Sequence, residues 1–223
     1  DEVTLSPEDE AETVWRLKRR QTKIDVGIMS AKSITFEIIS DGAGPQNVTW
    51  EDGRISYNGV LYDELVFDAV TRSTLFSEPS FILYGVTIGV NFHWERKQNQ
   101  TFAGQLRFIV EGDRITAINR VGIEDYLLSV ISSEMKASSA LDLLKAHAVI
   151  SRSWVMSQME KRRAGRQNSE TVAEKLSSGE IIRWWDHDDH TAFDVCADDH
   201  CQRYQGLTNA VGPNVRRAID ETW

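Results

Sequence analysis

Between Leu141 and Met159 the chain carries only three formal charges, at Asp142, Lys145 and Arg152. The spacing predicts a helix over residues 140–164, with Ser138 or Ser139 as its cap and Gly165 as its stop. Its apolar residues occupy most of the circumference, which reads as a core helix covered on several sides. The three charges interrupt any run long enough to span a bilayer. Whatever fold this chain adopts must find room for that helix.

A shorter helix precedes it, beginning at Ile123. Glu124 and Asp125 fall in its first turn, where negative charge suits the helix dipole. Leu127, Leu128, Val130 and Ile131 supply its apolar face, and the pattern breaks after Met135. Glu134 therefore stands at the joint between two helices. A carboxyl held there against apolar surface suits acid/base chemistry near neutral pH. The alternative is a helix-terminal carboxylate that caps the backbone amides of Ser138 or Ser139.

The first half of the chain reads as antiparallel β-structure. Strands are expected over 24–29, 34–40, 48–51, 54–57, 65–70, 80–92, 104–110 and 114–120. Asp52-Gly53 is a tight-hairpin signal and Glu111-Gly112-Asp113 turns the last pair. Residues 165–180 read as a polar loop and 181–185 as a further strand. The fold class is thus α+β: an antiparallel sheet or open barrel around the long central helix, with the short helix carrying Glu134 at its entrance. Residues 1–22 read as a flexible acidic leader and 23–223 as one domain. The last residues, Asp220-Glu221-Thr222-Trp223, suggest no closing element, and the ending looks cut.

At 223 residues, 41% hydrophobic and 26% charged, the chain has the composition of a soluble globular protein. A net charge of −9 argues against nucleic acid or an anionic membrane as the main partner. Trp184 and Trp185, in a chain with seven tryptophans, read either as core packing or as a carbohydrate platform. Two cysteines exclude a disulfide framework. His190, Cys196, His200 and Cys201 nevertheless gather four good zinc donors within a dozen positions, with His187 as a spare. A Cys₂His₂ set leaves no open position and would be a structural site. A Cys196–Cys201 disulfide and two free thiols are the alternatives.

Four short stretches resemble, in order, the pattern of one protein family. They are Glu124-Asp125-Tyr126-Leu127, Ser133-Glu134-Met135, Leu144-Lys145-Ala146 and Ser151-Arg152. The family is SpoIID/LytB, the stage II sporulation protein D and amidase-enhancer proteins. Its pattern runs EDYL, SEM followed by Pro, LKAQA and an Ala-Arg pair. A second patch, His200-Cys201-Gln202-Arg203-Tyr204-Gln205-Gly206, is similar to the family's His-Cys-Gln-x-Tyr-x-Gly segment. The resemblance is strong over 123–154 and weak over 24–219.

The resemblance implies a peptidoglycan lytic transglycosylase with Glu134 as its single acid/base. The carboxyl protonates the glycosidic oxygen leaving an N-acetylmuramoyl unit, then takes the proton of that sugar's 6-hydroxyl as a 1,6-anhydro ring closes. An ordinary glycosidase needs two carboxylates. Tyr126 either lines the cleft or is a packed tyrosine. Lys145 and Arg152, seven apart on one helix face, either bind sugar N-acetyl or lactyl groups near Glu134 or are paired surface charges. Zinc at the His/Cys segment, glycan strands as partner and an extracytoplasmic location also follow from the resemblance. The enhancer branch implies a second reading, a non-catalytic peptidoglycan-binding module that activates a cell-wall amidase. A zinc hydrolase is a third, weakened because four protein ligands exclude a metal-bound water.

The chain departs from the family pattern at Lys136, where Pro is expected, and at His147, where Gln is expected. A lone helical histidine is more often a packed core residue than a site member. Family members also continue into a small-residue, Ser/Gly/Cys-rich segment that contributes to the cleft.

Overall fold

A computed structural model describes residues 22–68, 78–90, 92–136, 138–165, 190–209 and 212–223. The acidic leader, the strand expected at 181–185, Trp184, Trp185 and His187 lie outside the described residues. The β-rich half supplies β1 (Lys23–Ala31), β2 (Ser33–Ile38), β3 (Gln46–Glu51), β4 (Arg54–Tyr57), β5 (Val60–Tyr62) and β6 (Glu64–Phe67). It continues through β7 (Phe81–Ile88), β8 (Arg96–Phe102), β9 (Gln105–Glu111) and β10 (Arg114–Gly122). The helices α1 (Ile123–Glu134) and α2 (Leu141–Gly165) follow, then the short strand β11 (Val195–Cys196) and α3 (Pro213–Asp220).

The fold is α+β, as the sequence implies, with two open sheets. One has the order β11-β1-β10-β9-β6 and the other β5-β4-β3-β2-β7-β8. All neighbours are antiparallel except β11, which runs parallel to β1. Only Lys32 separates β1 from β2, so the chain passes from one sheet to the other at that corner. Phe36 of β2 meets Phe108 of β9 between the sheets, with ring centroids 5.1 Å apart.

Turn chemistry explains the strand pairing. Asp52 and Gly53 both adopt positive φ, 46° and 82°, as a two-residue hairpin between twisted strands requires. Asn58-Gly59 repeats the device between β4 and β5, adding a strand beyond those expected from the sequence. The strand expected over 80–92 is β7, which ends at Ile88, and a further strand that the sequence does not signal, β8, pairs back onto it over Arg96–Phe102. β8 carries no strand signal of its own, because Arg96-Lys97-Gln98-Asn99-Gln100-Thr101 has almost no apolar alternation.

The helices form a layer against the first sheet. In β10, Ile115, Thr116, Ala117, Ile118 and Asn119 are buried in an unbroken run, which marks a strand covered on both faces. α1 follows β10 directly, with Gly122 as its cap, and buries Ile123, Tyr126, Leu127, Leu128, Ser129, Val130 and Ile131. α2 is covered along one stripe, Leu144, Ala148, Ser151, Val155 and Met159. Its other apolar residues face outward: Leu143 is 49% exposed, Val149 47% and Ile150 66%. The covered stripe faces α1 and α3, and the breadth of its cover is less than its composition suggests. α3 packs against α1 and α2. Pro213 starts it, and Val215, Ala218 and Ile219, spaced three and four apart, bury its inner face.

Candidate active site and metal centre

Glu134 ends α1, and Met135 leaves the helix in extended conformation with φ −117° and ψ 153°. The carboxylate does not cap Ser138 or Ser139. One oxygen accepts the backbone N–H of Arg203 at 3.1 Å. The other lies 3.0 Å from His147 Nε2 on α2. Nδ1 of His147 is buried without a partner among the described residues. Of the two neutral tautomers, the one that leaves Nδ1 bare avoids burying an unpaired N–H and puts the proton on Nε2, aimed at Glu134. Two N–H donors from distant parts of the chain thus fix both carboxylate oxygens. The side chain keeps 30% of its surface exposed, so it is not sealed against apolar groups as its sequence context suggests.

The other expected ligand-binding residues lie elsewhere. Tyr126 is fully buried, stacked on Tyr204 at 5.2 Å, and donates its hydroxyl to Gln202 at 3.0 Å. It is the packed tyrosine of the two alternatives and does not line a cleft. Burial pushes its phenol well above the usual tyrosine range. Lys145 pairs with Glu221. Arg152 makes a two-pronged pair with Glu124, at 2.9 and 2.6 Å, and reaches the Thr222 carbonyl at 3.2 Å. Neither cation is directed at Glu134, because each has found a carboxylate and together they tie α1, α2 and the segment after α3. His147 is the α2 side chain that reaches the acid, and the signal for it was the departure from the family's glutamine.

The segment 190–206 is laid across the first sheet by β11. Gly27 of β1 has the Phe193 ring where a β-carbon would stand, 2.5 Å away, so only glycine admits that ring. Asp194 accepts the Asp25 N–H at 2.9 Å and pairs with Arg162 of α2 at 2.6 Å. Desolvation raises the Asp25 carboxyl above its ordinary value, opposed by Arg120. The ligand atoms of His190, Cys196, His200 and Cys201 all lie within 4.8 Å of one another. Cys201 Sγ is 3.5 Å from His190 Nε2 and 3.5 Å from His200 Nδ1, and Cys196 Sγ is 3.7 Å from His200 Nδ1. Tetrahedral zinc, with bonds of ~2.0–2.3 Å, places its donors about 3.3–3.8 Å apart, so the set fits that ion. Both cysteines are free thiols rather than a disulfide. The Cys196 thiol is pulled down to about 3, chiefly by its hydrogen bond with Cys201, against the effect of burial; Cys201 is pushed up in turn.

Each residue after this cluster does a positional task. Gln202 receives Tyr126, the N–H of Arg203 reaches Glu134, the Tyr204 hydroxyl donates to Asn119 at 2.6 Å, and the N–H of Gln205 donates to Ser129 at 2.9 Å. Gly206 has φ 59°, and a β-carbon there would stand 2.3 Å from the Thr101 carbonyl. The spacing of glutamine, tyrosine and glycine after His-Cys is therefore the spacing needed to strap this segment onto α1 and the sheets.

The SpoIID family model, described as stage II sporulation protein, matches residues 111–223. The chain belongs to the SpoIID family. The matched region of this SpoIID protein runs from the end of β9 through α3, and so includes Glu134, His147 and the whole His/Cys cluster. The family is one of cell-wall-related sporulation proteins. No curated protein and no solved structure gives a significant match to the chain. No helix among the described residues is long and apolar enough to cross a membrane.

Proposed function

We propose that this SpoIID protein is a lytic transglycosylase that cleaves peptidoglycan glycan strands, with Glu134 as its acid/base. The observation that carries this reading is the fixed carboxyl beside an open pocket of about 430 Å³ lined in part by Ser133 and Arg203. Glu134 borders the pocket through its chain neighbour Ser133 and its donor Arg203 rather than lining it, and none of the described residues that do line it carries a carboxylate that could partner Glu134. A two-carboxylate hydrolase needs such a partner; intramolecular attack by the sugar does not. The Glu134 carboxyl gives its proton to the glycosidic oxygen as the bond to the muramoyl C1 breaks. The sugar's 6-hydroxyl oxygen then bonds to C1, and its proton returns to the carboxylate, so no water is consumed. His147 and the Arg203 amide hold the carboxylate in one orientation throughout. The substrate implies work outside the cytoplasmic membrane.

His190, Cys196, His200 and Cys201 would hold a zinc ion as a structural clamp for residues 196–206. Four protein donors leave no position for a reacting water, which speaks against a zinc hydrolase. The non-catalytic alternative, an enhancer of a cell-wall amidase, draws support from one feature, the exposed Leu143, Val149 and Ile150 of α2. Mass spectrometry of glycan strands, with and without stem peptides, separates the two. Anhydro-muramoyl products that disappear with Glu134→Gln support catalysis. Intact strands under all conditions, together with stimulation of an added amidase, would move the protein to the enhancer class.

A further inference from the structure

The hairpin between β7 and β8 brings a second set of groups to the pocket beside Glu134. Gly89 turns it with φ 68°, and the Trp94 ring lies where a β-carbon at position 89 would stand, 2.2 Å away. Glycine alone satisfies both conditions. Backbone bonds from Phe92 to Gly89 and from Glu95 to Phe92, each 3.0 Å, fold the tip back on itself. Phe92 stacks on Trp94 with centroids 5.4 Å apart and planes inclined by 17°. The Arg203 guanidinium sits 5.0 Å from the Trp94 centroid, and the same residue's N–H holds Glu134. One residue therefore links the indole to the acid. Trp94 and Arg96 form one wall of the pocket; Ser133, Gln205 and Asn209 line it from the α1 side and the strap. Its volume lies within the ~300–1,000 Å³ of small-ligand sites.

The lining sets the chemistry of the occupant. An aromatic wall with amide and hydroxyl groups opposite suits a sugar ring, which has an apolar face and a polar rim. The Ser133 hydroxyl has no partner among the described residues. Charge narrows the choice further. The Arg203 guanidinium is already committed to both oxygens of Asp199, at 2.9 and 3.0 Å. Arg96 is exposed and has no ion-pair partner among the described residues. A free guanidinium at a sugar-sized pocket is a carboxylate ligand, because its planar fork matches the two oxygens.

We propose that the β7–β8 hairpin builds a subsite for a carboxylate-bearing sugar unit, with Trp94 as its apolar wall and Arg96 as its anion ligand. The inference rests on the glycan reading above and specifies which part of the strand is held. A strand offers that carboxylate either on a free lactyl ether or on a peptide attached to it. Isothermal titration of the Glu134→Gln protein, which cannot turn over, tests the idea. Three tetrasaccharides serve as ligands: an N-acetylglucosamine oligomer, a muramoyl-containing fragment with free lactyl groups, and the same fragment with peptides attached.

At least one acidic fragment should bind about tenfold or more tightly than the neutral oligomer, and which one does so identifies the source of the carboxylate. Arg96→Gln should abolish that preference, bringing the acidic fragments to the affinity of the neutral oligomer. Trp94→Ala should weaken all three, and Gly89→Ala should copy it by displacing the indole. Unchanged affinities in both Trp94→Ala and Arg96→Gln, with binding intact, would overturn the subsite and leave the Glu134 reading standing. Failure of the Glu134→Gln protein and of the unsubstituted protein to bind any saccharide would overturn both.

Discussion

The two helices that meet at Glu134 have similar apolar content and opposite fates. α1 buries seven of its twelve residues because β10, β1, α2, α3 and the strap at 202–205 enclose it. α2 is twice as long, yet α1 and α3 cover it along only one stripe. Apolar composition therefore reports what a helix can bury, and neighbours decide what it does bury. The functional consequence follows from the same contrast. The enclosed helix cannot shift without disturbing the core, so it holds the acid at its end. The outer helix reaches in with one side chain, His147.

The contrast is broken most severely through the strap. If the four donors hold zinc, stripping it with a chelator should lower the thermal midpoint more than any substitution below, because metal binding and loop folding are one equilibrium. Elemental analysis should find one zinc per chain, lost in Cys196→Ser; an unchanged melt after complete stripping would reject the clamp. Next comes the covered stripe: Leu144→Ala should cost about 2–5 kcal/mol in denaturant unfolding. Tyr126→Phe leaves the Gln202 carbonyl oxygen buried without its donor and should cost about 1–3 kcal/mol. A cost near zero there would mean the strap finds another partner. Smallest of all is Ile150→Asp on the open face of α2, expected within about 0.5 kcal/mol. A large loss at Ile150 would show that this face is covered after all.

How far the site was legible depended on how local its parts are. Glu134 could be located because a helix end is written in neighbouring residues: the apolar run of 127–131 and the break after Met135. The His190, Cys196, His200 and Cys201 cluster was legible because its residues crowd into a dozen positions. The β7–β8 hairpin was not, since β8 is polar and its strand character comes from pairing with β7 rather than from its own alternation. Tyr126, Lys145 and Arg152 were legible as marked residues with two alternatives each, a cleft role or a packed or paired one, and the spacing could not choose between them. A helical spacing says which residues share a face and nothing about which carboxylate on another element lies opposite.

What the sequence determined by itself was the set of local commitments. These are the hairpins at Asp52-Gly53 and Gly112, the two helices and the joint between them, and the donor cluster. Each is settled by backbone preference or by charge over a few residues. Tertiary structure alone decided that His147 and the Arg203 amide would converge on Glu134 from residues 13 and 69 positions away. It also decided that Trp94 and Arg96 would stand beside them. Such meetings depend on how sheets and helices stack to bury their shared core, and that sum of many small contacts is written at no single position in the chain.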